Sequence, residues 1–219
     1  DHRRMETAAA AQELGAQEIH YLGYRDSGMA GRASNLVPGS LSASVDQATQ
    51  DLHALLVRVG ADAVVGQDPT GIYGHPDHLA VHHVVAGAAA AAGTPEVLEA
   101  TLDRDWLVAL RTTRIASGRL DRAAWCPLGL AELGVTRVGD GWAPSAGHAP
   151  LPLVHVSITP ELPAKQAAMA AHASQVPDAL DFIGIPPGTF HAVVAHEWFL
   201  RRTPHAGALE QVLLSPDRR

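Results

Sequence analysis

A chain of 219 residues, 47% hydrophobic and 18% charged, has the makeup of a single globular domain with a substantial core. Its net charge of −7, with no Lys/Arg cluster standing against it, gives no support for a nucleic-acid partner. No apolar run approaches the roughly 18 residues of a membrane span. No signal-peptide pattern opens the chain, and the lone Cys126 excludes an intrachain disulfide or a cysteine-rich metal knuckle. A cytoplasmic protein is the expectation.

Residues 3–14 predict a helix on the apolar positions Met5, Ala8, Ala9 and Leu14, stopped by Gly15. Residues 18–24 read as a short buried strand, and residues 25–44, rich in Gly, Ser, Asn and Pro, as a long ordered loop of the kind that usually carries function. Val45, Ala48, Leu52, Leu55, Leu56 and Val59 fall at helical spacing, with Ser44 as N-cap and Gly60 just past the end. Residues 61–66 predict a second strand. Residues 76–92 predict an alanine-rich helix with Pro76 in its first turn. Further on, 96–102 read as a strand, 103–117 as a helix, 154–158 as an alternating strand and 162–174 as a helix. A loop over 176–187, a last strand over 190–200 and a polar tail over 203–219 complete the pattern. Helices alternating with short buried strands predict an α/β sandwich with a mostly parallel sheet. Such a fold normally opens on a central strand, whereas this chain opens on a helix.

The densest chemistry lies between the second strand and the helix that follows, in Asp68-Pro69-Thr70-Gly71-Ile72-Tyr73-Gly74-His75-Pro76-Asp77-His78. Open α/β sheets keep their ligands in loops at the C-terminal ends of strands. Imidazole is a standard zinc ligand, and a catalytic zinc usually takes three protein ligands and keeps one open position. His75 and His78, three apart around Pro76, need not share one metal. A second imidazole can stabilise an oxyanion or donate a proton, with Asp77 orienting it and Tyr73 supplying a phenol. The plain alternative is a polar helix start in which Asp77 complements the macrodipole and the histidines are solvated. His78 and His82 stand at i, i+4, but Leu79 occupies the place of the glutamate in the zincin pattern, so a shared site is disfavoured and His82 and His83 read as ordinary helix histidines. Arg25-Asp26-Ser27-Gly28-Met29 leaves the first predicted strand as the His-rich loop leaves the second, so neighbouring parallel strands would bring both loops to one face. Asp26 then either meets substrate hydroxyls or forms an Asx-type turn with Gly28. Lys165, Met169 and His172 share a helix face that reads equally well as a solvated stripe.

The string Gly71-x-Tyr73-Gly74-His75-Pro76-Asp77-His78 resembles the PIG-L/LmbE-like zinc-dependent N-deacetylases. The resemblance takes in Tyr24-Arg25-Asp26-Ser27-Gly28-Met29, Arg3-x-x-Glu6, the Lys165…His172-x-Ser174-Gln175 run and Glu197-x-Phe199, and is nearest to the mycothiol-type branch. It implies a Rossmann-like three-layer fold over a single domain, residues 1–219. It also implies hydrolysis of an N-acetylglucosaminyl amide by metal-activated water, with a small amino-sugar as substrate and Zn2+ as cofactor. Carried over position by position, His78 is the implied zinc ligand and His75 the imidazole for the oxyanion or leaving amine. Asp77 is its orienting carboxylate and Tyr73 a mobile phenol. Arg3 and Asp26 match sugar contacts, and Met29 lines that pocket.

The departure from the family is an absent His-Pro-Asp-Asp-Glu string, which supplies two further zinc ligands and the general base. The one His-Pro-Asp in these residues is already used by the loop. The resemblance therefore implies that the first strand is missing, with this chain an N-terminal truncation that is inactive and binds zinc poorly by itself. A degenerate sugar-binding homologue and an amidase of thiol conjugates are the alternatives.

Overall fold

The computed structural model describes residues 2–119, 133–145, 147–175 and 187–215. Cys126 and nearly all of the loop expected over 176–187 lie outside them. The chain divides into two compact units. One holds helix α1 (His2–Glu13), most of α5 (Arg104–Ala116), α6 (Leu162–Ala171) and α7 (Pro187–Val194). The other holds α2 (Val45–Val59), the short helical turn α3 (Gly71–Gly74), α4 (Pro76–Ala92), α8 (Ala208–Leu214) and the strands.

The strands are β1 (Ala63–Gln67), β2 (Glu96–Thr101), β3 (Thr136–Val138), β4 (Gly141–Ala143), β5 (Leu153–Ser157) and β6 (His196–Arg201). Four of them form a sheet in the order β1-β2-β6-β5, and β3-β4 form a separate antiparallel pair. β1 runs parallel to β2, with Val64 opposite Val97 and Gly66 opposite Glu99, and α4 makes the crossover between them. β2 pairs antiparallel with β6. The bonds Arg201 N–H→Pro152 O and Ile158 N–H→Ala195 O bracket β5 and β6 in the antiparallel sense as well. The fold is α/β, as expected, but the sheet is mixed and not mostly parallel. Parallel neighbours require a crossover such as α4, and β6 enters beside β2 from the opposite direction.

Two local expectations fail for related reasons. Residues 18–24 form no regular element and pair with no strand among the described residues, and Ile19, Tyr21 and Leu22 are exposed. An apolar run becomes a strand only where a neighbour takes its backbone hydrogen bonds. Residues 190–194, expected to open the last strand, instead finish α7, closed by Ala195 N–H→His191 O at 3.2 Å, and β6 begins at His196. Short apolar runs do not distinguish helix from strand by periodicity. Ser44 precedes α2 but makes no cap bond; its hydroxyl accepts the N–H of Gly39 at 3.2 Å. The polar tail also contains a helix, α8, whose first N–H groups at Leu209 and Glu210 each donate to the buried Glu96 carboxylate at 2.8 Å.

The core that holds the His-rich loop in place is the sandwich of α2, α4 and the β1/β2 pair. Leu56 of α2, Val85, Ala88 and Ala89 of α4, and Val97 of β2 form its centre, with Leu52, Val64 and Val81 packed around it. A fully buried Leu or Val contributes roughly 1.5–3 kcal/mol. Small residues let these layers approach closely: a Cβ at Gly66 would lie 3.0 Å from Val85, and one at Gly87 3.0 Å from Thr49. Alanine richness in α4 thus lets the helix sit between β1 and α2. At its far end Gly93, in left-handed conformation (φ 67°), donates to Ala89 O and Ala90 O.

Candidate active site

The loop between β1 and α4 is built around Asp68, which is completely buried. Its Oδ1 accepts from Thr70 N–H (2.9 Å), Thr70 Oγ1 (2.6 Å) and Ile72 N–H (3.0 Å), and its Oδ2 from Thr101 Oγ1 (2.5 Å). Four donors are what a buried carboxylate requires. Asp68 opens the motif, yet its place is to anchor the loop. The backbone then doubles back so tightly that Ile72 adopts φ 64°, ψ −49°, a strained conformation for a β-branched residue. Asp68 holds Ile72 N–H, and Gly134 N–H donates to Ile72 O at 2.9 Å. Gly71 (φ 58°) is required at its position, because a Cβ there would fall 2.8 Å from that of His78.

Three histidines on α4 or at its cap are distinguished by what their ring nitrogens meet. His75 is the N-cap residue, and its Nδ1 accepts the backbone N–H of Asp77 at 3.1 Å. In the neutral ring the proton therefore lies on Nε2, which is a donor. His78 has its Nδ1 3.1 Å from Gly71 O. A carbonyl only accepts, so here Nδ1 carries the proton and Nε2 presents its lone pair. Burial, the largest cause, holds the His78 imidazole below its ordinary value of 6.5. Nearby His75 acts in the same direction, against the Gly71 bond and the carboxylates of Asp77 and Asp68. His82, one turn further, has Nδ1 2.9 Å from Glu99 Oε1 and 3.3 Å from Gln67 O. Its Nε2 lies 3.3 Å from Arg202 Nη2, which can only donate, so that lone pair is consumed.

Tyr73 packs edge-on against both site imidazoles, 5.1 Å from the His78 ring and 6.1 Å from that of His75. Burial, and then the Asp26 carboxylate, push its phenol above the usual value of 10 and keep it protonated. The expected convergence of the two loops is present. Ser27 N–H donates to Asp77 Oδ2 at 3.0 Å, and the donor atoms of Asp26, His75 and Asp77 lie within 4.8 Å of one another. Asp26 forms the Asx turn: its Oδ1 accepts Gly28 N–H at 2.7 Å, with Gly28 at φ 72°, and a carboxylate oxygen also lies within 4.8 Å of a His75 ring nitrogen. The Asp77 carboxylate is bonded to Ser27; what His75 receives from Asp77 is the backbone N–H.

Met29 is 42% exposed on the Asp26 loop. Arg3 lies on α1, in the other unit. The Lys165 run performs local packing. Lys165 Nζ donates to Val194 O at 3.0 Å, and Ser174, two residues past His172, donates through N–H and Oγ to the buried Glu6 at 2.8 and 2.7 Å. Those hydrogen bonds hold the Glu6 carboxyl below its ordinary value. The sequence reading missed Ser27, and the Glu99–Arg202 partners of His82. It also missed His75 as a helix cap, though a polar residue directly before a proline that opens a helix was a signal for it.

A PIG-L profile, described as GlcNAc-PI de-N-acetylase, matches residues 1–89, which contain the whole cluster. Relatives named 1D-myo-inositol 2-acetamido-2-deoxy-alpha-D-glucopyranoside deacetylase align over most of the chain. The one from Streptomyces avermitilis is 36% identical over 80% of this chain and 62% of its own length. That from Streptomyces griseus is 38% identical over 80% of the chain and 56% of its own length. A Nocardioides relative is 31% identical over 99% of the chain and 77% of its own length. The chain thus spans about three-fifths of the length of most relatives it matches.

Proposed function

This chain belongs to the PIG-L family of de-N-acetylases, and we propose that the intact protein removes the acetyl group of an N-acetylglucosaminyl-type small molecule, such as an N-acetylglucosaminyl-inositol. The reading rests on one observation above all, the opposite backbone partners of Nδ1 at His75 and His78, an N–H at one and a carbonyl at the other, within a single loop-to-helix junction. Amide hydrolysis needs a proton donor for the oxyanion or the leaving amine, and His75 Nε2–H is one. Tyr73, kept protonated, is a second donor beside it. Asp77 and Ser27 fix the approach of the two loops, and Asp26 meets the sugar hydroxyls, with Met29 against its apolar side.

The zinc that the family implies fits His78: its Nδ1–H is held by a backbone carbonyl, as is usual for a metal-ligating imidazole, and burial favours the neutral ring. When bound, zinc supplies Lewis acidity and lowers the pKa of water. Asp26, His75 and Asp77 make a rival set of donors. His75 would first have to surrender the Nε2 proton, and one Asp77 oxygen is committed to Ser27. We therefore assign the metal to His78 and the proton transfer to His75. Among the described residues His78 is then a single ligand where three are usual, so the 219 residues by themselves should bind zinc weakly. The fold this reading implies is one Rossmann-like domain over residues 1–219.

The test is acetate release from N-acetylglucosaminyl-inositol by the intact, zinc-loaded protein. His75→Ala should lower kcat by about 10²–10⁴-fold with zinc stoichiometry unchanged. Loss of zinc in that variant would reverse the two assignments, and absence of acetate release by the unmodified protein would refute the activity.

A further inference from the structure

Ser27 is hydrogen-bonded through its N–H, carbonyl and hydroxyl beside the site and takes no part in the proton transfers above. It is completely buried. Its carbonyl accepts from Ser34 Oγ and Asn35 Nδ2, both at 2.6 Å, and its own hydroxyl accepts Ser42 N–H at 2.9 Å. Two distant parts of the long loop thus close on one residue. The remaining polar group of Ser27, its N–H, leaves the loop altogether and donates to Asp77 Oδ2. The other carboxylate oxygen, Asp77 Oδ1, is buried and has no hydrogen-bond partner among the described residues.

A carboxylate is planar, so fixing one oxygen and the side-chain root fixes the direction of the other. Asp77 is the second residue of α4, and its side-chain root moves with the helix. We propose that Ser27 is a positioning residue: by holding Asp77 Oδ2 it aims Oδ1 and links the Asp26 loop to the start of α4. A substrate pressing on Asp26 would then be felt at Asp77 one hydrogen bond later. Serine suits the post because the site has no room for a large side chain and needs a hydroxyl to take Ser42 N–H. Alanine would leave that donor unsatisfied and loosen the loop, though its own N–H remains.

The catalytic arm of the test rests on the deacetylase reading; the structural arm does not. In the intact protein, Ser27→Ala should lower kcat about tenfold while changing KM less, the scale of a partner that orients a catalytic group. In a double-mutant cycle, Ser27→Ala should add little once Asp77→Ala is present. Separately, amide hydrogen exchange at Ser27 should accelerate at least tenfold in Asp77→Ala. If Ser27→Ala fails to fold, Asn35→Ala, which removes the amide donor that Ser27 O shares with Gly28 O, replaces it in the cycle. Additive effects in the cycle, or a Ser27 amide whose exchange ignores Asp77, would overturn the proposal. An unmodified protein that releases no acetate but shows the exchange change would remove the activity and keep the coupling.

Discussion

His78 and His82 stand one turn apart on α4, carry the same Nδ1–H tautomer, and differ in what becomes of Nε2. At His78 the Nδ1–H is taken by the carbonyl of Gly71, in a loop held to a strained shape by Asp68, which leaves the lone pair on Nε2. At His82 the Nδ1–H is turned to Glu99 and Gln67, and Nε2 is closed off by Arg202. Arg202 also pairs with Glu99 through Nε, so carboxylate, imidazole and guanidinium form one network, buried at Glu99 and His82 and open to solvent at Arg202. A histidine becomes available for chemistry when a partner orients it but does not use both nitrogens. When both are used, it becomes part of the framework. His75 is a third case, in which the helix itself takes Nδ1 and leaves a proton on Nε2.

The contrast can be tested most severely at Glu99. Removing this 2% exposed carboxylate with Glu99→Ala takes away the acceptor that His82 Nδ1 and Arg202 Nε share, leaving His82 only Gln67 O. The expected loss is about 3–5 kcal/mol in urea unfolding, with zinc binding per folded molecule unchanged. Should zinc fall while stability holds, His82 and Glu99 belong to the metal site after all. For His78→Ala the pattern inverts: zinc affinity in the intact protein should drop at least about 100-fold, the upper range seen even for outer-shell changes, with unfolding nearly unaffected. A purely structural His78 would instead reverse those two readouts.

Thr101→Val addresses the loop anchor. It removes the hydroxyl that donates to the buried Asp68 Oδ2 and should cost about 1.5–3 kcal/mol, the value of a hydrogen bond to a charged group. Unchanged unfolding would mean Asp68 does not depend on Thr101.

The smallest effect is on pH dependence. The folded value of His78 lies below its ordinary 6.5, so the unfolded chain binds a proton more readily. Its contribution is fully present above 6.5 and is lost as pH falls through the lower folded value. A stability profile measured across that window should lose this component in His78→Ala and keep it in His82→Ala.

Much of the architecture was open to sequence reasoning because it rests on local signals. The period of Leu52 and Leu56 and the glycines at 60 and 93 mark α2 and α4 without reference to any partner. Strand identity was less legible. Residues 18–24 and 190–194 carry apolar side chains, yet one pairs with no strand and the other coils, since a strand exists only with a neighbour. The mixed direction of the sheet was hidden for the same reason: no local feature of β6 says on which side, or in which sense, it will meet β2.

At the site the same division runs through three histidines. The sequence alone selected the loop, the residue types and the turn at which α4 begins, because these depend on glycine, proline and neighbours within a few positions. It also contained the bond from Asp77 N–H to His75, which spans two residues. The His78 bond spans seven residues through a strained turn, and the Arg202 bond to His82 spans 120. Those partners meet only after β1, β2 and β6 have packed against α4. Tertiary structure therefore decided which imidazole nitrogens are taken up by partners and which are not.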